Sequence, residues 1–528
     1  MKKYFALLTG LAVVTSTYSQ GRVIEEMDAL KYSQTQIIGT ALSMGMAGAM
    51  SSLGGDMSAV SQNPAGIAVY RSSELAATLN LSFINTQTNQ MGNKQNENLT
   101  KFSLDNVGYV GTVFTRSSGS GIMNWNFGFN YNRLKSFDRN YTSRGPIQDG
   151  TSSLTDYIAY ITSVNNPRIN SERMHEDNNP YDNRDIPWLS TLAYQGYLIN
   201  PWNSDSTEYK SHFNNFIPMN GTSLNVSERG HVDTYDFTLG FNYANLLYVG
   251  ANLGITDLQY TMNSYYTEDF ANNEGYQLAN YLDVSGTGIN FKIGAILRPA
   301  YFWRIGLAYH SPTYYSLSET YIGDVSSNFA ESTGTPGYYQ DEYLPITDYS
   351  LNTPQKLVAG TSFVIGAKGV LSFDYEYCDY SRIKVEDNGG FNVTPPYLKE
   401  DLIGTHTIRV GGEYRINPSF AVRAGYARVT SPLSADVRNE NVEIITGGTI
   451  PNYTVDKGYN YYTCGLGYRY KSVFVDLAYA MRSLKEDVYA FSPAVFPDSS
   501  DYLMPTVSSM RTNRSNVLLT FGVTFGKK

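Results

Sequence analysis

Residues 233–243 read Asp-Thr-Tyr-Asp-Phe-Thr-Leu-Gly-Phe-Asn-Tyr. Successive side chains of a β-strand point to opposite faces, so Tyr235, Phe237, Leu239, Phe241 and Tyr243 make one apolar face. Thr234, Asp236, Thr238, Gly240 and Asn242 make the other. The pattern recurs along the chain. Met123, Trp125, Phe127, Phe129 and Tyr131 alternate with Asn124, Asn126, Gly128 and Asn130. Ile289, Phe291, Ile293, Ala295 and Leu297 alternate with Asn290, Lys292 and Gly294, and Val517, Leu519, Phe521, Val523 and Phe525 with Thr520, Gly522 and Thr524. Alternation alone fits a soluble sandwich, apolar face inward, as well as a membrane barrel, apolar face outward.

Segment length and the spacing of connections separate the two. Fourteen such segments centre near residues 80, 109, 128, 238, 252, 291, 308, 359, 374, 410, 424, 464, 478 and 519. Many run to about ten residues, longer than the usual 5–6 of a soluble strand and suited to a tilted crossing of about 9–11. Short connections at 116–121, 244–246, 298–302, 366–368, 416–419 and 470–472 alternate with long ones near 88–101, 136–230, 263–282, 319–350, 387–404, 434–457 and 487–511. Short turns at one end, long loops at the other and an even strand count predict an all-β protein, a transmembrane antiparallel β-barrel of about fourteen strands. Closure satisfies every backbone polar group in lipid. Rings such as Trp303, Tyr309, Tyr375, Tyr377, Tyr468 and Tyr479 suit the interfacial girdles.

Composition agrees. Charged residues are 16% of the 528, against roughly 25% in an average soluble protein. A formal charge of −9 speaks against nucleic acid, whose affinity rests on Lys/Arg contacts to phosphate. Past residue 20 no apolar run is long enough for a spanning helix. Residues 1–20 have the order of a secretory signal: Lys2 and Lys3, an apolar stretch from Tyr4 to Val14, then small polar residues. Cys378 and Cys464 fall on opposite faces of the wall and read as incidental thiols. Neither a metal nor a cofactor is expected.

On the same register Asp374, Glu376, Arg409, Glu413, Arg423, Arg469 and Asp476 face the lumen with both signs mixed, a neutralised network bracing the wall. Residues 21–72 break the alternation. Met44, Met46, Met50 and Met57 interleave with Gly39, Gly45, Gly48, Gly54 and Gly55, and Asn63-Pro64-Ala65-Gly66 follows. This stretch is too apolar for a solvated tail and too glycine-rich for a strong helix. A fourteen-strand lumen needs filling, since about eight strands already leave room only for side chains. Residues 21–72 are therefore expected inside the barrel as a plug, and 73–528 as the barrel. Met supplies adaptable apolar contact, useful for packing the plug or for letting a greasy ligand slide past.

Four stretches carry a resemblance to the FadL/TodX (OMPP1) outer-membrane transporters of hydrophobic compounds. Residues 41–50 leading to Leu53-Gly-Gly-Asp56 and Asn63-Pro64-Ala65-Gly66 look like the family hatch. Residues 285–312 and the run from Phe420 to Tyr426 with Ser431-Pro432-Leu433 are similar to family strand pairs, and Leu351-Asn-Thr-Pro354 to a strand opening. The resemblance implies a monomeric barrel in a bacterial outer membrane and passive uptake of a hydrophobic small molecule, above all a long-chain fatty acid or related lipid. It further implies capture by the outer loops, movement of a hatch built on Asn63, Pro64 and Ala65, and lateral exit into membrane lipid. Two departures stand out: the long loop near 136–230, and the ending Phe525-Gly-Lys-Lys528 in place of a terminal aromatic.

Other functions are weaker. No Gly-x-Ser-x-Gly elbow or His-Glu-x-x-His helix marks an enzyme. His175, His212 and His231, in or beside the long loop, allow a haem-receptor alternative. A general porin is disfavoured by the apolar plug, and an adhesin rests only on the Tyr/Asn-rich loops.

Overall fold

The computed structural model describes residues 24–115, 121–148, 150–165, 167–178, 180–183, 185–213, 218–271, 273–328, 338–339, 346–495 and 502–526. The expected signal segment and most of the short connection 116–121 lie outside them. Fourteen antiparallel staves form the wall: β1 (Ser73–Gln90), β2 (Asn93–Phe114), β3 (Ile122–Ser136, continued by Arg139–Gly145), β4 (Met219–Tyr243), β5 (Leu247–Phe270), β6 (Gly275–Ala300), β7 (Trp303–His310, continued by Tyr314–Ser327), β8 (Ile346–Asn352 into Lys356–Ile365), β9 (Gly369–Asp379, continued by Lys384–Asp387), β10 (Gly404–Arg415), β11 (Phe420–Val429), β12 (Tyr453–Tyr470), β13 (Val473–Tyr489) and β14 (Ser508–Phe525). Each pairs with the next, and β14 pairs with β1 from Phe525↔Ser73 to Ser509↔Asn89, so the sheet closes. All fourteen expected centres fall within these staves.

The outer face carries the apolar belt that lipid requires. Tyr235, Phe237, Leu239, Phe241 and Tyr243 are all exposed, while Thr234, Asp236, Thr238 and Asn242 are buried within. One expected face needs correction. Met123 is buried, because the β3–β4 register shifts between Ile122 and Asn124 and leaves Met123 as an inserted residue, with Ile122 exposed in its stead. Such a bulge swaps the face of what precedes it, which alternation read by eye cannot register.

The staves also run far past the belt. β4, β5 and β6 have 25, 24 and 26 residues, against about 9–11 for a crossing. The expected long loops 88–101 and 263–282 are hairpins of this extension, the first closed by Met91-Gly92 with φ of 49° and 88°, the left-handed pair of a type I′ turn. Polarity inverts along the way. Inward residues of β5 in the lower half include Asn252 and Thr256; farther out most are apolar, Leu258, Tyr260, Met262, Tyr266 and Phe270, with Ser264 and Glu268 among them. With water outside the upper wall, the apolar face must turn inward, and these residues join the largest buried cluster. The 136–230 stretch caps it, with α4 (Leu154–Val164) and α5 (Trp188–Gln195) between strand ends. Leu154, Ile158, Leu192 and Ile199 of this cap are buried in the same core.

Candidate functional site

Residues 24–70 occupy the lumen. α1 (Glu26–Ser33) sits in the upper apolar half, with Ala29, Leu30 and Tyr32 in the large cluster. α2 (Ala41–Gly45), α3 (Ala59–Gln62) and a 3-10 turn (Pro64–Val69) fill the lower half. The lower wall opposes them with inward glycines, so backbone meets backbone. A Cβ at Gly411 would lie 2.5 Å from the Met46 carbonyl oxygen, one at Gly425 2.5 Å from the Met46 carbonyl carbon, and one at Gly250 2.3 Å from the Pro64 oxygen. Gly294 faces Asn63, Gly306 and Gly360 face Ser51, and Gly465 faces Gly45. These positions form a collar that only residues without side chains can build.

Wall side chains then satisfy the segment's backbone. Thr520 Oγ1 accepts from Ala41 N at 2.8 Å, Asp374 Oδ2 accepts from Ser51 N at 2.8 Å, and Arg304 donates to the Leu53 oxygen at 2.7 Å. Asn130 donates to Met57 O at 2.9 Å, and His310 Nε2 lies 2.7 Å from Gln62 O. Asn63 is the hub of its motif. Its Oδ1 accepts from Ala65 N at 3.1 Å, capping the 3-10 turn that Pro64 begins, while Nδ2 donates to Ser51 O at 2.7 Å and Ala295 O at 3.3 Å. Gly66 lies against Gly54, whose φ is +62°. Met44 packs with Ala47, Tyr461 and Ala478, and Met46 and Met50 pack with Leu53 and Ala59.

The seven lumen charges divide into separate groups. Arg409 donates to Glu376 at 2.5 Å, beside Asp374 and its bond to the inner segment. Arg423 bridges Glu413 at 2.8 Å and Asp476 at 2.6 Å. Arg469 is exposed at the short-turn mouth, 5.1 Å from the Phe474 ring centroid. Cys378 is buried and Cys464 exposed.

Two cavities above the collar were not legible in the sequence. The upper one, about 160 Å³, is lined by Met27, Leu30, Phe137, Met262, Leu282 and other residues of α1 and the upper wall. The second, about 330 Å³, extends from Met44 and Ile37 to Phe102 on the outer face. Arg482, Arg514, Gln36 and Ser136 line both. Lys135, Arg482 and Arg514 are buried, and among the described residues none of them makes an ion pair. Lys135 donates to the Lys31 carbonyl, Arg514 donates to Asp138 O at 2.6 Å, and Arg482 stacks over Tyr459 with its Nε unpartnered. Of the other charges here, Arg139 pairs with Glu228 and Glu486 and Lys31 with Glu228 at 3.0 Å, while Asp456 accepts from Gly458 N and makes no ion pair among the described residues.

The second cavity reaches the outer face where the wall loosens. The β2–β3 ladder ends at Asn106↔Asn132. Beyond it β2 pairs only with β1, with Asp105 bulged, and β3 only with β4, with Leu134 inserted. The strands meet again through side chains, as in Thr142 to Glu97 and Asn93 to Arg144 O. Gly108 and Gly111, the glycines at which the sequence allows a kink, keep their partners Asn130 and Phe127.

Near the top, Glu26 of α1 shares a hydrogen bond with Asp401 of α6 (Leu398–Asp401). Burial, then the charge of Asp401, holds the Glu26 carboxyl well above the usual range, and burial pushes Asp401 up to about 6. A carboxyl raised in the folded state contributes stability that is present below its unfolded value and lost as pH rises through the folded one. Protection of α1 amides from hydrogen exchange is therefore expected to fall as pH rises above the ordinary carboxyl value of about 4 and through about 6, where Asp401 titrates, and Glu26→Gln to flatten that fall. Equal slopes in wild type and variant contradict it.

His231 Nε2 lies 3.3 Å from Asp233 on the wall, and His175 bonds Tyr194 in the cap. Among the described residues no group of three or more His, Cys, Asp or Glu is placed to hold a metal ion.

Among curated proteins none matches the chain. Solved structures do. A FadL homologue of Pseudomonas aeruginosa superposes with a TM-score of 0.53 at 13% identity, over 92% of this chain and 99% of that one. The P. putida toluene transporter TodX gives 0.52 at 13%, over 93% and 100%. At such identity the likeness is one of fold. A family model described as "Outer membrane protein transport protein (OMPP1/FadL/TodX)" matches residues 219–494, over half of the sequence. A closed fourteen-strand barrel, a filled lumen and this match together make the chain a member of the OMPP1/FadL/TodX family of outer-membrane transport proteins.

Proposed function

We propose that the chain is a monomeric channel for passive uptake of hydrophobic small molecules, with long-chain fatty acids or similar acidic amphiphiles as ligands. The observation that carries this is the buried cation group Lys135, Arg482 and Arg514, which lines the upper cavity together with Leu30, Phe137, Met262 and Leu282 and whose two arginines also line the second. Burying unpaired charge is costly, and an acidic head beside a long apolar body relieves that cost while filling the apolar wall. A ligand entering past the cap would seat its tail against α1 and its head at Arg482 and Arg514. Displacement of 24–40, which holds fewer wall glycines than the collar-seated part, would connect the upper cavity to the second. The break between β2 and β3 would then release the ligand sideways into lipid at Phe102. Asn63, Pro64 and Ala65 fix the floor against which this movement occurs.

TodX is a toluene transporter, so an uncharged aromatic ligand is the second reading, favoured by the apolar lining alone. Binding of a labelled long-chain fatty acid and of its methyl ester to the purified barrel separates them. Hydrogen bonds to charged groups are worth about 1.5–3 kcal/mol, so the acid is expected to bind roughly 10–100-fold more tightly than the ester. Replacing Arg482 and Arg514 by Met should erase the difference. Equal binding of acid and ester to the wild type leaves the aromatic reading standing, and whole-cell uptake unaffected by altering Asn63–Ala65 removes any role for the motif.

A further inference from the structure

A groove of about 860 Å³ lies on the outer surface of the wall across β6 to β10, away from the lumen and the β2–β3 break. Its floor follows from pairing. Leu307 of β7 lies opposite Ala295 of β6 on one side and Ala359 of β8 on the other. Ala359 lies opposite Tyr375 of β9. The row Ala295–Leu307–Ala359–Tyr375 thus alternates small and large outward side chains, leaving a trench at each alanine. The row above it, Ile293, Tyr309, Leu357, Tyr377 and His406, is large throughout and walls the trench on the long-loop side.

The polar atoms gather at that upper rim. Tyr375 Oη lies 2.7 Å from His406 Nδ1, and Tyr309 donates to Gln355 at 3.1 Å. Just above, β7 and β8 break together at 311–313 and 353–355, each break holding a proline, while on β6 exposed apolar residues continue to Phe291 and Ile289. The groove lies within the lipid-facing surface, since Ile293, Leu307 and Leu357 are 46%, 59% and 52% exposed.

We propose that this groove seats one acyl chain of a membrane lipid, held longer than the lipid around it. The surface is already a lipid interface, so the neighbour that reaches it is a hydrocarbon chain. A second barrel presents another convex wall, which cannot enter a trench one side chain deep between Leu307 and Tyr375, whereas a flexible chain can. Apolar area removed from contact by shape-matched packing adds dispersion that a flat wall lacks, and the Tyr/His rim adds hydrogen-bonding groups on the long-loop side of the groove. The proposal rests on the barrel and its belt, not on the identity of the transported ligand.

The test reconstitutes the full chain in phosphatidylethanolamine/phosphatidylglycerol vesicles containing a phospholipid with a diazirine on one acyl chain. After photolysis, adducts are mapped by peptide mass spectrometry. Adducts are expected to concentrate several-fold on peptides holding 293–295, 307–309, 357–359 and 375–377 relative to belt peptides holding 237–241 or 519–523. Ala295→Trp with Ala359→Trp, which fills both trenches, should bring the ratio to one, while Leu253→Trp on the belt elsewhere should not. An even distribution around the wild-type belt overturns the proposal without any variant. So does an enrichment that survives filling in a barrel still shifting its gel mobility on heating.

Discussion

Replacing Gly411 and Gly425 by leucine is expected to turn a sealed barrel into one that conducts ions. Both glycines face the inner segment at Met46 and Ala47, and the atoms a new Cβ would strike are backbone: the Met46 oxygen at 2.5 Å, the Met46 carbonyl carbon at 2.5 Å and the Ala47 nitrogen at 2.6 Å. No rotamer change relieves such a clash, so the segment or the wall must move. The wall is held on both sides, Gly411 by its pairing with Ser372 and Gly425, and Gly425 by Thr463. Overpacking costs about 1–3 kcal/mol per site, or roughly 2–6 kcal/mol for two, which shifts seated against unseated segment by on the order of thirtyfold to ten-thousandfold. Unseated, the segment leaves a fourteen-strand lumen whose polar lower lining admits water. Planar-bilayer recordings should show steps in the variant that the wild type lacks, with heat-dependent gel mobility confirming a closed barrel. A folded, silent variant would mean that the seal lies elsewhere, in α1 and the cap.

The same contrast explains what the sequence reveals. Lipid outside and water inside impose opposite polarities on the lower wall, so runs such as Phe237 to Tyr243 disclose both the strand and its facing. Parity likewise places Asp374, Arg409, Arg423 and Asp476 inward, because charge on the lipid side costs about 2–4 kcal/mol at midplane. Above the belt the outside is water, the inward face becomes Leu258, Tyr260 and Met262, and polar outward residues make the hairpins at 88–101 and 263–282 read as loops. Met123 misleads for a different reason, since one inserted residue shifts the period unseen. The motif Asn63-Pro64-Ala65 is visible because an Asn cap before a Pro-initiated turn is local chemistry. Lys135, Arg482 and Arg514 are invisible: the three lie on different staves, and only closure of β14 onto β1 brings those staves round to a shared cavity.

Arg423→Ala should be the most destabilising single change in the wall. The side chain is 3% exposed and holds Asp476, 2% exposed, at 2.6 Å, and Glu413 at 2.8 Å. Removing one member of a buried pair costs about 3–5 kcal/mol, chiefly because the other charge stays buried without compensation. The two acids are not equally abandoned. Glu413 retains Arg415 at 3.1 Å, whereas Asp476 already has Oδ2 unpartnered and would lose the one ion pair it makes among the described residues. The cost should therefore sit on Asp476, and Arg423→Ala with Asp476→Asn should recover most of the lost urea midpoint, while Arg423→Ala with Glu413→Gln should not. That difference is a coupling energy, obtained from the two double-mutant cycles in refolded barrels. The arginine also supports the seal, since its Cβ is 3.4 Å from where a Cβ at Gly45 would lie. Loss of stability with no change in conductance would place the triad in the wall alone. Equal recovery by both double variants would show the charge to be shared across the triad instead of concentrated at Asp476.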